Sequence, residues 1–305
     1  MTFPQPFITS ADRISILPAQ QGDSPQGLGT GDRDNSVTGS DHIIIRNLSH
    51  CFHSGQQPVQ ALKALSFSVK HGEFLTLIGP SGCGKSTLLN IVSGLIGPKT
   101  DEPYTLLVDG ETINGPDPRR IAMVFQESGL FPWRTATQNV EFGLELRGVR
   151  TSDRRRAARE YLALVGLLAF TDRYPGELSG GMQQRVSLAR ALAINAPIML
   201  LDEPFGALDE QTRLLMSEEL LKIWSADKKT VLFVTHSLHE AAALSDRILV
   251  MTARPGQIKE IIEPRAPRPR NPATIDAIRD ELWNLLKEES RKALEQTSGT
   301  LGRET

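Results

Sequence analysis

The chain has 305 residues, a net charge of −2 and 39% hydrophobic residues, enough for one large domain or two smaller ones around a real core. The near-neutral charge argues against a nucleic-acid partner, and two cysteines, Cys51 and Cys83, cannot build a disulfide framework and suit a reducing cytosol. No apolar run reaches the ~18 residues of a membrane span, and Met1 to Arg13 lacks a signal-peptide pattern, so action at a membrane would need a partner.

Residues 1–40 are rich in Gly, Ser, Asp, Gln and Pro without an apolar period, and are expected to form a disordered leader. Ile43 to Leu48 predicts the first strand. Val59 to Val69 predicts a second: Leu65, Phe67 and Val69 alternate with Ser66, Ser68 and Lys70, the period of an antiparallel strand with one wet face. Phe74 to Ile78 is short, apolar and β-prone, and reads as a buried strand. It runs into Gly79-Pro80-Ser81-Gly82-Cys83-Gly84-Lys85-Ser86-Thr87, which meets the phosphate-loop template G-x-x-x-x-G-K-[ST] at every fixed position. Thr87 to Gly94 reads as the helix that follows. In this context backbone N–H groups turn inward on phosphate oxygens. Lys85 would reach the β- and γ-phosphates, and the Ser86 hydroxyl would ligate Mg²⁺.

Tyr104 to Val108 is a short strand closed by Asp109-Gly110, and Ile121 to Phe125 is a buried strand followed by Gln126. Thr135 to Arg147 and Ser152 to Val165 predict helices, the second capped by Ser152 or Asp153. Its Arg154, Arg155, Arg156 and Arg159 read as a solvated basic face or as a contact for acidic lipid or protein. A helix opens at Ser179-Gly180-Gly181 and runs to about Asn195. The apolar strand Ile198 to Leu201 delivers Asp202 and Glu203 at its C-terminal end, where ligands gather in open α/β sheets. Asp202 is placed to hold Mg²⁺, directly or through water, and Glu203 to accept the proton of an attacking water. Glu210 to Ala226 predicts a helix, Thr230 to Thr235 a strand ending at His236, and Arg247 to Met251 and Gln257 to Ile262 two more strands. Pro264 to Pro272 reads as an extended Pro/Arg-rich linker. Ala273 to Leu294 reads as an amphipathic helix with Ile275, Ile278, Leu282, Leu285 and Leu286 on one stripe.

One stretch is left, Leu178-Ser179-Gly180-Gly181-Met182-Gln183-Gln184-Arg185. Its chemistry alone fits a plain N-cap or a second anion site. The string resembles the signature of ABC-type ATPases. With the phosphate loop and the paired acids, it identifies the chain as a member of that family from about Ile43 to about Ile262. The resemblance implies an α/β fold, a P-loop NTPase of ABC type, with a mixed central sheet, flanking helices, an antiparallel β subdomain and a helical subdomain over about 127–195. The ATPase domain would span 41–263, and the linker and C-terminal helix 264–305. In that family Gly79 to Thr87 is the Walker A cradle, and Gln126 the Q-loop glutamine that touches Mg²⁺ and the attacking water. Ser179, Gly180, Gly181 and Gln183 belong to the signature that closes on ATP held by a partner subunit. Asp202 resembles the Walker B acid and Glu203 the catalytic base. Ala207-Leu208-Asp209 resembles the D-loop, and His236 the switch histidine that contacts the γ-phosphate. Phe52 stands where a tyrosine usually stacks on adenine, with His50 and His53 as neighbours that could serve instead.

Val124-Phe125-Gln126-Glu127, Leu130-Phe131-Pro132-Trp133, Asp202 to Asp209 and Ala253-Arg254-Pro255-Gly256 resemble the nitrate/sulfonate/taurine importers. That likeness implies an ATP-hydrolysing importer subunit, a head-to-tail homodimer at the cytoplasmic side of the inner membrane. Its partners would be a permease and, indirectly, a solute-binding protein. An ABC-type ATPase of DNA repair or ribosome work is disfavoured by the single cassette and the lack of a coiled-coil insertion. A non-catalytic regulatory cassette would be expected to lose Lys85 or Glu203, and both are present. Phe131 and Trp133 are either core or an exposed anchor for a permease helix.

Overall fold

The chain opens with β1 (Asp41–Phe52), β2 (Val59–Lys70) and β3 (Phe74–Ile78), followed by α1 (Lys85–Val92). β4 (Thr105–Val108), β5 (Glu111–Thr112) and β6 (Ile121–Val124) come next, then α2 (Ala136–Leu146), α3 (Thr151–Leu164) and α4 (Gly180–Ile194). The rest alternates: β7 (Ile198–Asp202), α5 (Glu210–Asp227), β8 (Thr230–Val234), α6 (Leu238–Leu244), β9 (Arg247–Met251), β10 (Ile258–Ile262) and α7 (Pro272–Leu301). The computed structural model describes residues 41–53 and 58–301; the leader expected over 1–40 lies outside the described residues.

A four-stranded antiparallel sheet has the order β2-β1-β4-β5. A mixed six-stranded sheet has the order β10-β9-β3-β8-β7-β6 and is parallel except for β10. The alternation read in β2 holds: Leu65, Phe67 and Val69 are buried while Ser66 and Lys70 are exposed. β3, β7 and β8 are buried at every position because both of their faces are covered. In β7, Ile198 and Leu200 pack with α1 and the antiparallel sheet, while Met199 and Leu201 pack with α4 and α5. α2, α3 and α4 pack on one another as a helical layer.

Three local readings needed adjustment. α3 starts at Thr151 after Arg150, which gives no side-chain cap, instead of being capped by Ser152 or Asp153. Asp153 lies in the first turn, where a carboxylate complements the helix dipole, and it pairs with Arg150 and Arg156. Of the arginines on this helix, Arg154 turns inward to Glu141 and Glu145 of α2, while Arg155, Arg156 and Arg159 are exposed. α6 was not foreseen. α7 extends to Leu301, and its stripe meets α6 together with Ile78, Ile248, Val250 and Ile262.

The Pro/Arg-rich stretch before α7 is pinned to the cassette. Arg270 is 8% exposed and donates to the carbonyls of Ala242 and Ser245, both 2.8 Å away, so it satisfies the C-terminal end of α6. Arg268 pairs with Asp246 and lies 4.0 Å from the centre of the Trp224 ring. Within α7, the buried Glu289 carboxylate accepts from the Ala253 N–H at 3.0 Å and from Lys259 and Lys292. Burial alone would raise its pKa, but these three donors hold it down to about 2.

Candidate functional site

The parallel register lines up the C-terminal ends of four strands. Leu77 of β3 pairs with Val234, Val234 with Asp202, and Leu201 with Val124. The residues just beyond this row are Gly79, His236, Glu203 and Gln126, so the sheet brings these chemical groups to one edge.

The phosphate loop wraps from β3 into α1. Gly84, the residue before the helix, has φ of 101°, and a Cβ there would stand 2.5 Å from Leu62 Cδ2, so only glycine fits. α1 has no side-chain cap and no acid in its first turn, whereas Thr135, Ser179, Asp209 and Ser237 cap α2, α4, α5 and α6. An N-terminus left uncapped in this way suits an anion. Lys85 is 7% exposed, and its ammonium donates to the carbonyls of Gly79 at 2.8 Å and Pro80 at 3.0 Å. Cys83 is buried beside it, and burial pushes its thiol pKa up, so it packs as an apolar residue.

Asp202 is 4% exposed, and its Oδ1 is buried with no hydrogen-bond partner. Burial raises its pKa, while the Ser86 hydroxyl and the Lys85 ammonium pull it back. A buried carboxylate oxygen without a donor, next to a serine hydroxyl, is a hard-oxygen set that fits Mg²⁺.

Glu203 has φ of 46°, unusual for a non-glycine residue. Its N–H donates to the Val234 carbonyl at 2.9 Å, and its carbonyl accepts from Gln184 Nε2 at 2.8 Å. The side chain turns to His236, whose Nδ1 is 3.2 Å from Glu203 Oε2. Gln126 is exposed at the end of β6.

Ser179, Gly180, Gly181 and Gln183 lie at the start of α4. Ser179 Oγ accepts from the Met182 N–H, Ser179 and Gly180 are exposed, and Gly181 packs against Ala207 and Leu208. Gln183 donates to the carbonyls of Pro175 and Leu178 and accepts from Ser128 Oγ at 3.1 Å, two residues past Gln126. Phe52 is 38% exposed, with its ring edge-on to His50. His50 is buried and its Nδ1 is taken by the Lys99 N–H, so Phe52 and His53 are the rings free to stack.

Gln184 was missed in the sequence. Its amide joins the Glu203 carbonyl to the Ala207 N–H, 2.9 Å from Oε1. The available signal was period: Gln184 shares a face with Ser187, Leu188 and Ala191, all buried, and a polar side chain on an apolar stripe needs partners.

The family model described as ABC transporter matches residues 62–206. An uncharacterized ABC transporter ATP-binding protein of Methanocaldococcus jannaschii is 47% identical over 269 residues, covering 86% of this chain and 99% of the relative. An aliphatic sulfonates import ATP-binding protein of Bacillus cereus is 42% identical over 256 residues, covering 84% and 99%. Among solved structures, the dimeric post-hydrolysis state of an ATP-binding cassette bound to ADP and Pi superposes with a TM-score of 0.67 at 35% identity, covering 73% of this chain and 99% of that one.

Proposed function

The chain belongs to the ABC transporter ATP-binding proteins, which are ATPases, and from that membership we propose that it is the ATP-hydrolysing subunit of an importer for an aliphatic sulfonate or a similar small solute such as nitrate or taurine. The observation that carries this reading is the likeness to the sulfonate import protein across 99% of that relative. The subunit would work as a head-to-tail homodimer, peripheral on the cytoplasmic side of the membrane. It would drive permease subunits supplied by a solute-binding protein. Among the described residues no helix is long and apolar enough to cross a membrane.

Each ATP would lie between the phosphate loop of one chain and Ser179, Gly180, Gly181 and Gln183 of the other. Phe52 would stack on adenine. Ser86, Asp202 and Gln126 would hold Mg²⁺, which when bound neutralises charge on the phosphate oxygens. Glu203 takes the proton of the attacking water as its oxygen bonds to the γ-phosphorus and the bond to the ADP oxygen breaks. Lys85 and the α1 N–H groups stabilise the spreading negative charge. His236 contacts the γ-phosphate.

Coupling to the permease would use the aromatic cluster after Gln126. Trp133 is 70% exposed, which excludes a place in the core. Its ring lies 5.6 Å from that of Phe131, which packs edge-on against Phe142. An exposed tryptophan on a fixed aromatic base suits a helix-in-groove contact. Trp133→Ala should change stability by less than ~0.5 kcal/mol, as exposed positions do. A central aromatic anchor is worth ~2 kcal/mol or more, so permease affinity should fall roughly thirtyfold. Thermal unfolding and permease pull-down on the same variant check this. Unchanged permease binding would remove Trp133 from the contact.

A further inference from the structure

The sequence Ser237-Leu238-His239-Glu240 has the pattern of a capping box, in which the fourth residue reaches back to the N–H of the first. Here that exchange is broken. Ser237 Oγ accepts from the Glu240 N–H, but the Ser237 N–H goes to Thr235 Oγ1 at 2.9 Å. Glu240 is 4% exposed and turns elsewhere: one oxygen accepts from Thr235 Oγ1, and the other lies 3.7 Å from Arg213 Nε. Burying a carboxylate costs stability, and a cap alone does not require it here.

Arg213 is on α5 and reaches back to the turn before its helix, donating from Nη2 to the Leu208 carbonyl at 3.0 Å. That turn packs on the signature: a Cβ built on Gly181 would stand 2.9 Å from Leu208 Cδ2 and 3.0 Å from the Ala207 carbonyl oxygen. A continuous path therefore runs from Gly181 through Leu208, Arg213, Glu240 and Thr235 to His236, which faces Glu203 at 3.2 Å. One link is open. Arg213 Nε is buried with no hydrogen-bond partner, 3.7 Å from the carboxylate that could satisfy it. Arg213 keeps part of its side chain in solvent, so the separation leaves room for the two groups to close to hydrogen-bonding distance.

We propose that Arg213 and Glu240 are positioning residues that couple the two ATP sites of the dimer. They link the signature surface, which serves the partner's ATP, to His236, which serves the chain's own. This rests on the proposed roles of Ser179 to Gly181, Glu203 and His236. Closure on the partner's nucleotide shifts the 207–209 turn, the Arg213–Glu240 pair shortens, and His236 is set for the γ-phosphate. Coupling of this kind needs an element with two arrangements that both sites bias.

Glu240→Gln, Arg213→Gln and the double variant of the full chain, with Glu203→Gln as control, test it. Each is assayed for MgATP affinity, for maximal hydrolysis rate and for the Hill coefficient of hydrolysis against ATP, below its melting temperature. The parent should show a Hill coefficient above 1. Both single variants should bind MgATP within about twofold of the parent, lose roughly tenfold in maximal rate and fall towards a Hill coefficient of 1. The double variant should be no slower than the slower single one, because both remove the same link. Arg213→Gln stands alone as a test if Glu240→Gln does not fold. Additive losses, a loss confined to ATP affinity, or a parent coefficient of 1 would overturn the coupling. An inactive Glu203→Gln beside Glu240→Gln and Arg213→Gln chains of parental rate and cooperativity overturns the link alone. A Glu203→Gln chain of parental rate overturns the catalytic assignment beneath it.

Discussion

Glu203→Gln is expected to slow ATP hydrolysis by about 10²–10⁴-fold, the usual contribution of a general base, while MgATP binding stays close to the parent's. The position is over-determined by the backbone. β8 holds the Glu203 N–H through Val234, Gln184 holds its carbonyl, and the residue is kept at φ of 46°. Backbone held in that region costs ~1–3 kcal/mol and persists where the surroundings fix it, as they do at functional sites. Glutamine keeps the shape of the side chain and can still meet His236, but it cannot take a proton. Phosphate-release kinetics with a calorimetric ATP titration separate the two effects. Hydrolysis at the parent rate would assign the proton to another group.

Lys85→Ala is expected to do more, weakening binding as well as removing turnover. The ammonium lies over the loop that has to receive the phosphates, held by two main-chain carbonyls. ATP would draw it from those carbonyls onto the β- and γ-oxygens. Hydrogen bonds to a charged group are worth about 1.5–3 kcal/mol, so affinity should fall roughly tenfold to a hundredfold, with hydrolysis below detection. In the variant, the Gly79 and Pro80 carbonyls also lose their donor, which loosens the loop further. Unchanged affinity in the titration would dissociate the loop from nucleotide binding.

What the sequence could reveal depended on how each element is held. β3, β7 and β8 were legible because a strand buried on both faces is a short apolar run; β3 leads into the glycine loop, and β7 and β8 lead to Asp202 and His236. β2 was legible from its alternation. α6 was not: seven residues, Leu238 to Leu244, are too few to show a period, and His236 before them drew the reading to a strand end. The first turn of α3 was misplaced because serine and aspartate favour both the cap and the turn after it, and here Arg150 stands at the cap. The strap before α7 is fixed by Arg268 and Arg270 reaching backbone carbonyls and a ring, contacts with no trace in residue spacing. Trp133 could be named but not placed, since an aromatic next to a proline has the same letters in a core and on a surface. Glu240 was hidden by the opposite effect: its spacing matches a capping box, but its side chain does not make the box's return bond.

A composite ATP site, one half from each chain, is tested most directly by the mass of the Glu203→Gln chain in solution with and without MgATP, measured by sedimentation. With hydrolysis stopped, ATP should convert monomer to dimer. Adding Ser179→Arg to that chain should abolish the dimer while each monomer still binds ATP, because Ser179 is exposed at the start of α4 and is not part of the phosphate loop. Loss of the serine cap costs only ~1 kcal/mol, so the chain should remain folded. An ATP-dependent dimer that survives Ser179→Arg, or no dimer with ATP in the Glu203→Gln chain, would contradict the composite site.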